Sequence, residues 1–282
     1  MNKLNKVMHL FRPINLLFIW VLQTIIFKYF TIDISYLNFI VYVILPTVFT
    51  AAAGYIINNF FDQKKDLLNR KPRLALFKKK TWLLLYLVFN ALALVLSFSV
   101  EIKACFYLVL ISQILLFLYA YAFSNWFLVG NFIVALLSFF TFLMVFISHK
   151  LVFVGGDAWV FCLSMFLLTF CREIVKDIAD KKGDLKCNAQ TMPIIFGNKW
   201  AMFFTNVFLF SNLGLLCSWA FIIFYGSNNT IFLLYMFIVI LGIFLAIFPL
   251  IYLRAEKWKV LALMYKIYMS FGLILIPTLS EL

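Results

Sequence analysis

Apolar and polar residues fall along this chain in blocks rather than in fine alternation. Apolar runs cover residues 13–30, 36–57, 82–100, 104–123, 127–148, 158–175, 200–225, 231–250 and 260–279. Each is near the ~20 residues that cross a bilayer as a helix. Backbone groups in lipid must bond within their own segment, so the runs predict helices and not open sheet. Brief polar links, such as Glu101-Ile-Lys103, Ser124-Asn125 and Gly226-Ser-Asn-Asn229, predict hairpin turns. Two links are long, 58–81 and 176–199. An even number of crossings separates them, which puts both on one side of the membrane. The expected fold is an all-α integral membrane protein, a single domain over 1–282, with nine transmembrane helices bundled around a central cavity.

Composition narrows the class. At 66% hydrophobic and 12% charged residues, the chain is expected in a membrane, and soluble multi-domain readings drop out. Lys3, Lys6 and Arg12 ahead of the first run resemble a signal peptide. No small-residue cleavage site follows, so a retained first helix is expected. With the N-terminus inside, the inner segments collect all the basic residues except Lys28, Lys103 and Lys150. That bias predicts cytoplasmic long links and a cavity open to the cytoplasmic side. It also accounts for the net charge of +13 through anionic lipid, without nucleic acid. The cysteines and the two histidines show no metal-ligand spacing, so zinc and disulfides are not expected.

The acidic residues carry more information. Asn58, Asp62 and Asp66 stand at i, i+4 and i+8, one face of a helix. Glu173, Asp177, Asp180 and Asp184 form a second group at the other long link. A solvated face neutralised by nearby lysines would explain either group alone. Two groups on one side, both at helix mouths, point instead to hard cations and the phosphates they carry. Loss of diphosphate from an allylic carbon needs its charge neutralised, which a divalent cation does as a Lewis acid. Arginine forks onto phosphate oxygens and lysine acts as a point charge. The phenylalanines of the bundle offer ring faces to an allylic cation. An ion transporter would instead place its carboxylates near mid-span.

At these residues the chain resembles the UbiA superfamily of intramembrane prenyltransferases. The first signature, NxxxDxxxD, is Asn58-xxx-Asp62-xxx-Asp66; the second, DxxxD, is Asp180-xxx-Asp184, followed by Thr191-x-Pro193-xxx-Gly197. The run Arg172-Glu-Ile-Val-Lys-Asp177 is most similar to the branch that attaches a geranylgeranyl chain to geranylgeranylglyceryl phosphate. The resemblance implies Mg²⁺ held by Asn58, Asp62 and Asp66 and by Asp180 and Asp184, the four aspartates being the catalytic set. Arg70, Arg172, Lys176 and Asp177 are the implied substrate contacts. Donor and acceptor would be a prenyl diphosphate and a lipid alcohol, in the plasma membrane of a prokaryote. An aromatic acceptor, as in quinone biosynthesis, is the alternative within the family. The chain departs from the family pattern at Asn59 and in Tyr121–Trp126, which holds no cation. A divergent member with little activity is the remaining reading.

Overall fold

A computed structural model of the protein describes residues 11–29, 35–63, 79–98, 103–148, 156–225, 229–252 and 257–275. Among them the helices are α1 (Pro13–Tyr29), α2 (Tyr36–Phe61), α3 (Lys79–Phe98), α4 (Lys103–Tyr121) and α5 (Val129–Ser148). They continue with α6 (Gly156–Lys186), α7 (Gly197–Tyr225), α8 (Asn229–Tyr252) and α9 (Trp258–Gly272). A helix therefore occupies each apolar run, and the described residues contain no strand. Seven of the described helices are long and apolar enough to cross a membrane. The other two are α1, with 17 residues, and α6, whose last turns are heavily charged. The protein is an integral, multi-pass membrane protein.

The chain forms two compact units. The first holds α1–α4 with the C-terminal part of α5, and the second holds the N-terminal part of α5 with α6–α9.

In the first unit α2 is the central element, packed on α1, α3 and α4. Ser35 opens it by accepting the Asn38 N–H at 3.3 Å, a side-chain cap. Pro46 has no N–H to give to the preceding turn. Just before it the helix widens into a π turn over Ile40–Ile44, where Leu45 N reaches the Ile40 carbonyl. Farther along, Gly54 lets Leu116 of α4 lie against the α2 backbone; an added Cβ would come within 2.7 Å of that side chain. Buried amides also tie the helices together. Gln23 donates to Thr47 Oγ1 at 3.1 Å and to the Thr141 carbonyl at 3.0 Å, and Gln113 donates to the Asn90 carbonyl at 3.1 Å. Apolar contact is no stronger between helices than with lipid tails, so such polar links and close backbone approaches hold membrane helices together.

In the second unit α6 packs on α7 and α9, and α8 packs on α7 and α9. Ser164 of α6 donates to Asn212 Oδ1 of α7 at 2.5 Å. Tyr268 of α9 donates to the Ile238 carbonyl of α8 at 3.1 Å. All five cysteines are free.

One boundary differs from expectation. The link expected over 176–199 is largely helical: α6 runs on to Lys186, and a short turn, Met192–Ile195, leads into α7. The apolar run stops at residue 175, but the helix does not. Ile174, Val175 and Ile178 stay buried on one side of it. Continued packing, rather than hydrophobicity all round, carries the helix past the apolar run.

Candidate active site

The C-terminal end of α2 presents Asn58 and Asp62 one turn apart. Asn58 Nδ2 donates to Asp62 Oδ2 at 2.8 Å, and the Asp62 N–H closes the helix on the Asn58 carbonyl at 2.9 Å. The other amide atom, Asn58 Oδ1, is buried with no hydrogen-bond partner. An unpartnered carbonyl oxygen beside a carboxylate is a donor set that suits a hard cation. Asp66 and Arg70, expected in this group, lie outside the described residues. A cluster of rings stands beside Asp62: Phe61 meets Tyr121 edge-on at 5.8 Å, and Tyr121 stacks on Phe117 at 6.0 Å.

The second group is carried by α6. Glu173, Asp177, Asp180 and Asp184 stand at i, i+4, i+7 and i+11, which a 3.6-residue helix brings to one side. Glu173, Asp180 and Asp184 are all buried, Asp184 completely. Carboxylates in that state demand compensating charge or hydrogen bonds. For Glu173 the compensation is local: Arg172 Nη1 and Lys176 Nζ each donate to it at 2.6 Å. Two of the three cations nominated for phosphate contact are therefore gathered by one acid that was not itself nominated.

Asp177 is half-buried and lies beyond the apolar run of α6. Its Oδ2 accepts from Asn131 Nδ2 of α5 at 2.8 Å. Burial pushes its carboxyl up to about 7, with Asp184 and Glu173 raising it further against the Asn131 hydrogen bond and Lys176. Asn131 is a site residue that sequence reasoning missed. The signal was there, as a buried amide in an otherwise apolar helix, which costs free energy unless it is bonded.

After Lys186 the chain turns sharply. Asn188 takes φ 55° and Ala189 N bonds back to the Asp184 carbonyl at 3.0 Å, a left-handed helix cap. Gly197 has φ +83°, with open space where a Cβ would stand. Its backbone, and not crowding, calls for glycine there. Among the described residues no three His, Cys, Asp or Glu side chains form a closed metal-holding group. Mg²⁺ does not need one, since it commonly takes one or two carboxylates and completes its shell with water and phosphate oxygens.

A multi-pass helical protein with acidic groups at the ends of α2 and α6 is the class that fold and site define. The sequence matches the UbiA prenyltransferase family over residues 15–270, and the chain belongs to that family. It is 36% identical over 171 residues to digeranylgeranylglyceryl phosphate synthase of Thermococcus gammatolerans, which covers 58% of this chain and 59% of that one. The same enzyme of Methanobrevibacter smithii is 29% identical over 167 residues, covering 57% and 59%. The matched stretch thus spans about three-fifths of the length of these relatives. Among solved structures, one described as giving insights into digeranylgeranylglyceryl phosphate synthase in membranes superposes with a TM-score of 0.76 at 25% identity, covering 100% of both chains. A UbiA homologue from Archaeoglobus fulgidus, bound to GPP and Mg²⁺, has a TM-score of 0.71 at 18% identity, covering 96% of this chain and 99% of that one.

Proposed function

We propose that this protein transfers a prenyl group from a prenyl diphosphate to a lipid alcohol such as geranylgeranylglyceryl phosphate, with Mg²⁺ as cofactor, in ether-lipid synthesis. The observation that carries the reading is an oxygen-rich group at one helix end in each unit: Asn58 bonded to Asp62 at the end of α2, and the buried acids of α6. The names of the synthase relatives support the choice of acceptor.

In this reading Asn58, Asp62 and Asp66 hold one Mg²⁺, and Asp180 and Asp184 hold another. The metal would supply Lewis-acid neutralisation of the departing diphosphate. The protein's own groups do the rest. Arg70, Arg172 and Lys176 meet the phosphate oxygens. Glu173 fixes the last two of these cations, so less ordering is left to be done when substrate arrives. The acceptor hydroxyl then attacks the allylic carbon as the C–O bond to diphosphate breaks, and in this reading Asp177, one of the implied substrate contacts, takes its proton. In the same reading nine spans would surround a central cavity that opens to the cytoplasm of a prokaryotic cell.

The test is transfer from labelled geranylgeranyl diphosphate by purified protein, with geranylgeranylglyceryl phosphate and 4-hydroxybenzoate as separate acceptors and an EDTA control. EDTA-sensitive product with the glyceryl phosphate is the expected result. Product with the aromatic acid alone, or with neither acceptor, would overturn it.

A further inference from the structure

The first unit holds a cation that the reaction scheme above leaves unused. Arg12 stands immediately before α1 with φ 47°, a conformation that side chains other than glycine, asparagine and aspartate rarely adopt. Its guanidinium lies over the Tyr55 ring, 4.9 Å from Cζ to the centroid. The Tyr55 hydroxyl in turn accepts from Asn15 Nδ2 at 3.2 Å, which fixes the ring under the cation. Phe11, on the other side of Arg12, packs edge-on against Phe89 at 5.9 Å. The side chain is therefore held on three counts: by its backbone, by the ring below it and by its anchored neighbour.

Arg12 Nε is nevertheless buried without a hydrogen-bond partner. A ring face attracts the positive charge but accepts none of the in-plane N–H bonds that a guanidinium offers. Leaving such a donor buried costs free energy, and strained backbone persists where the surroundings over-determine it, typically at binding sites. The position is informative as well. Tyr55, Asn58 and Asp62 are i, i+3 and i+7 on α2, so the residue whose ring underlies Arg12 shares a helix face with Asn58 and Asp62, about one turn before Asn58.

We propose that Arg12 binds the anionic phosphate of the acceptor lipid and so selects a phosphorylated over an unphosphorylated alcohol. The proposal rests on the prenyl-transfer reading. A phosphate monoester is tetrahedral, and a planar guanidinium grips two of its terminal oxygens at once as a fork. The donor carries phosphate too, but its diphosphate is assigned to the metal-holding acids and to Arg70, Arg172 and Lys176. The acceptor's phosphate needs a cation of its own.

The experiment compares full-length wild type with Arg12→Gln and Arg12→Lys in detergent. Geranylgeranyl diphosphate is the donor, and geranylgeranylglyceryl phosphate or its dephosphorylated alcohol is the acceptor. In Arg12→Gln the preference for the phosphorylated acceptor, as a ratio of kcat/KM values, falls at least tenfold, and KM for that acceptor rises more than KM for the donor. Arg12→Lys keeps the charge without the fork and loses part of the preference. A larger rise in donor KM would assign Arg12 to the diphosphate, and equal losses with both acceptors would make it structural; either overturns the proposal. Equilibrium binding of geranylgeranylglyceryl phosphate to wild type and Arg12→Gln, which needs no turnover, keeps the two readings apart. Absence of transfer with arginine-dependent binding defeats only the reaction assignment, whereas arginine-independent binding defeats this one.

Discussion

Asn58 and Asp62 are joined by a 2.8 Å hydrogen bond across one turn at the end of α2. The bond leaves Asn58 Oδ1 without a partner, and it turns one oxygen of Asp62 toward the amide. If the pair holds a cation, each member matters in its own way. Asp62→Ala removes charge and ligand together and should lower turnover by roughly 100-fold or more, since the Lewis-acid contribution to a departing phosphate is several kcal/mol. Asn58→Ala should cost less and should raise the Mg²⁺ concentration that gives half-maximal rate. Both positions end a helix rather than fill a core, so thermal melting in EDTA should shift by only a few degrees. Wild-type-like rates in Asp62→Ala would remove the metal assignment.

Asp184 is a different case, because it is completely buried. Asp184→Asn keeps the volume and deletes the charge. Turnover should fall as far as in Asp62→Ala, while folding tolerates the change better than Asp184→Ala, which also leaves a void. A fully active Asp184→Asn protein would mean that this acid is there to stabilise α6 alone.

Asp177 gives a pH dependence. Its carboxyl is raised from 3.8 to about 7 in the folded protein, so folding favours the protonated acid. The penalty for ionising it is absent below about pH 4, grows between there and pH 7, and is full above that. In EDTA the melting temperature should therefore fall between about pH 4 and pH 7 and level off above, and Asp177→Asn should flatten that slope. Parallel slopes for the two proteins would show that the group does not titrate in this window.

Glu173 should prove structural and kinetic at once. Orphaning a buried ion pair costs roughly 3–5 kcal/mol. Here the partners Arg172 and Lys176 are 27% and 32% exposed, so water takes up part of that loss. Glu173→Gln should cost about 1–2 kcal/mol in a reversible unfolding assay. The donor KM should rise as the two cations lose their common anchor. Tighter donor binding would show that Glu173 competes with the substrate for those cations.

Gly54 tests the packing behind the site. A methyl there would lie 2.7 Å and 2.9 Å from the two Leu116 δ-carbons, so the whole leucine must swing away. Gly54→Ala should destabilise by about 1–3 kcal/mol, partly offset by alanine's better helix propensity. The double variant with Leu116→Ala should recover much of the loss. Failure to recover would locate the strain elsewhere.

Much of this was legible in the amino-acid order for one reason: lipid permits few backbone solutions. Any run of the required length and apolarity had to be helix, and a helix lies at each. The meeting of Asn58 and Asp62 was legible as well, because i, i+4 spacing needs no tertiary knowledge. The end of α6 was not, since residues 176–186 read as a polar link and their helical state depends on the packing of Ile178 and Asp184. Asn131 escaped because its partner, Asp177, is 46 residues away. Glu173 was visible as an acid, but its grip on Arg172 and Lys176 is a matter of rotamers. Arg12 looked like one more inner-face cation, and its backbone twist and its place over Tyr55 are tertiary facts that the sequence does not carry.

The unbroken course of α6 has a mechanical side. Its 31 residues make a rod about 46 Å long at 1.5 Å per residue, half again the ~30 Å of bilayer hydrocarbon. No joint separates the acidic arm from the apolar one. Three hydrogen bonds tie this rod to α7 along its length: Ser164 to Asn212 near the foot, Cys171 to the Thr205 carbonyl at mid-length and Lys181 to Asn198 near the head. The charged arm is thus splinted to the same neighbour as the apolar arm, and the second unit carries its carboxylates on a braced strut.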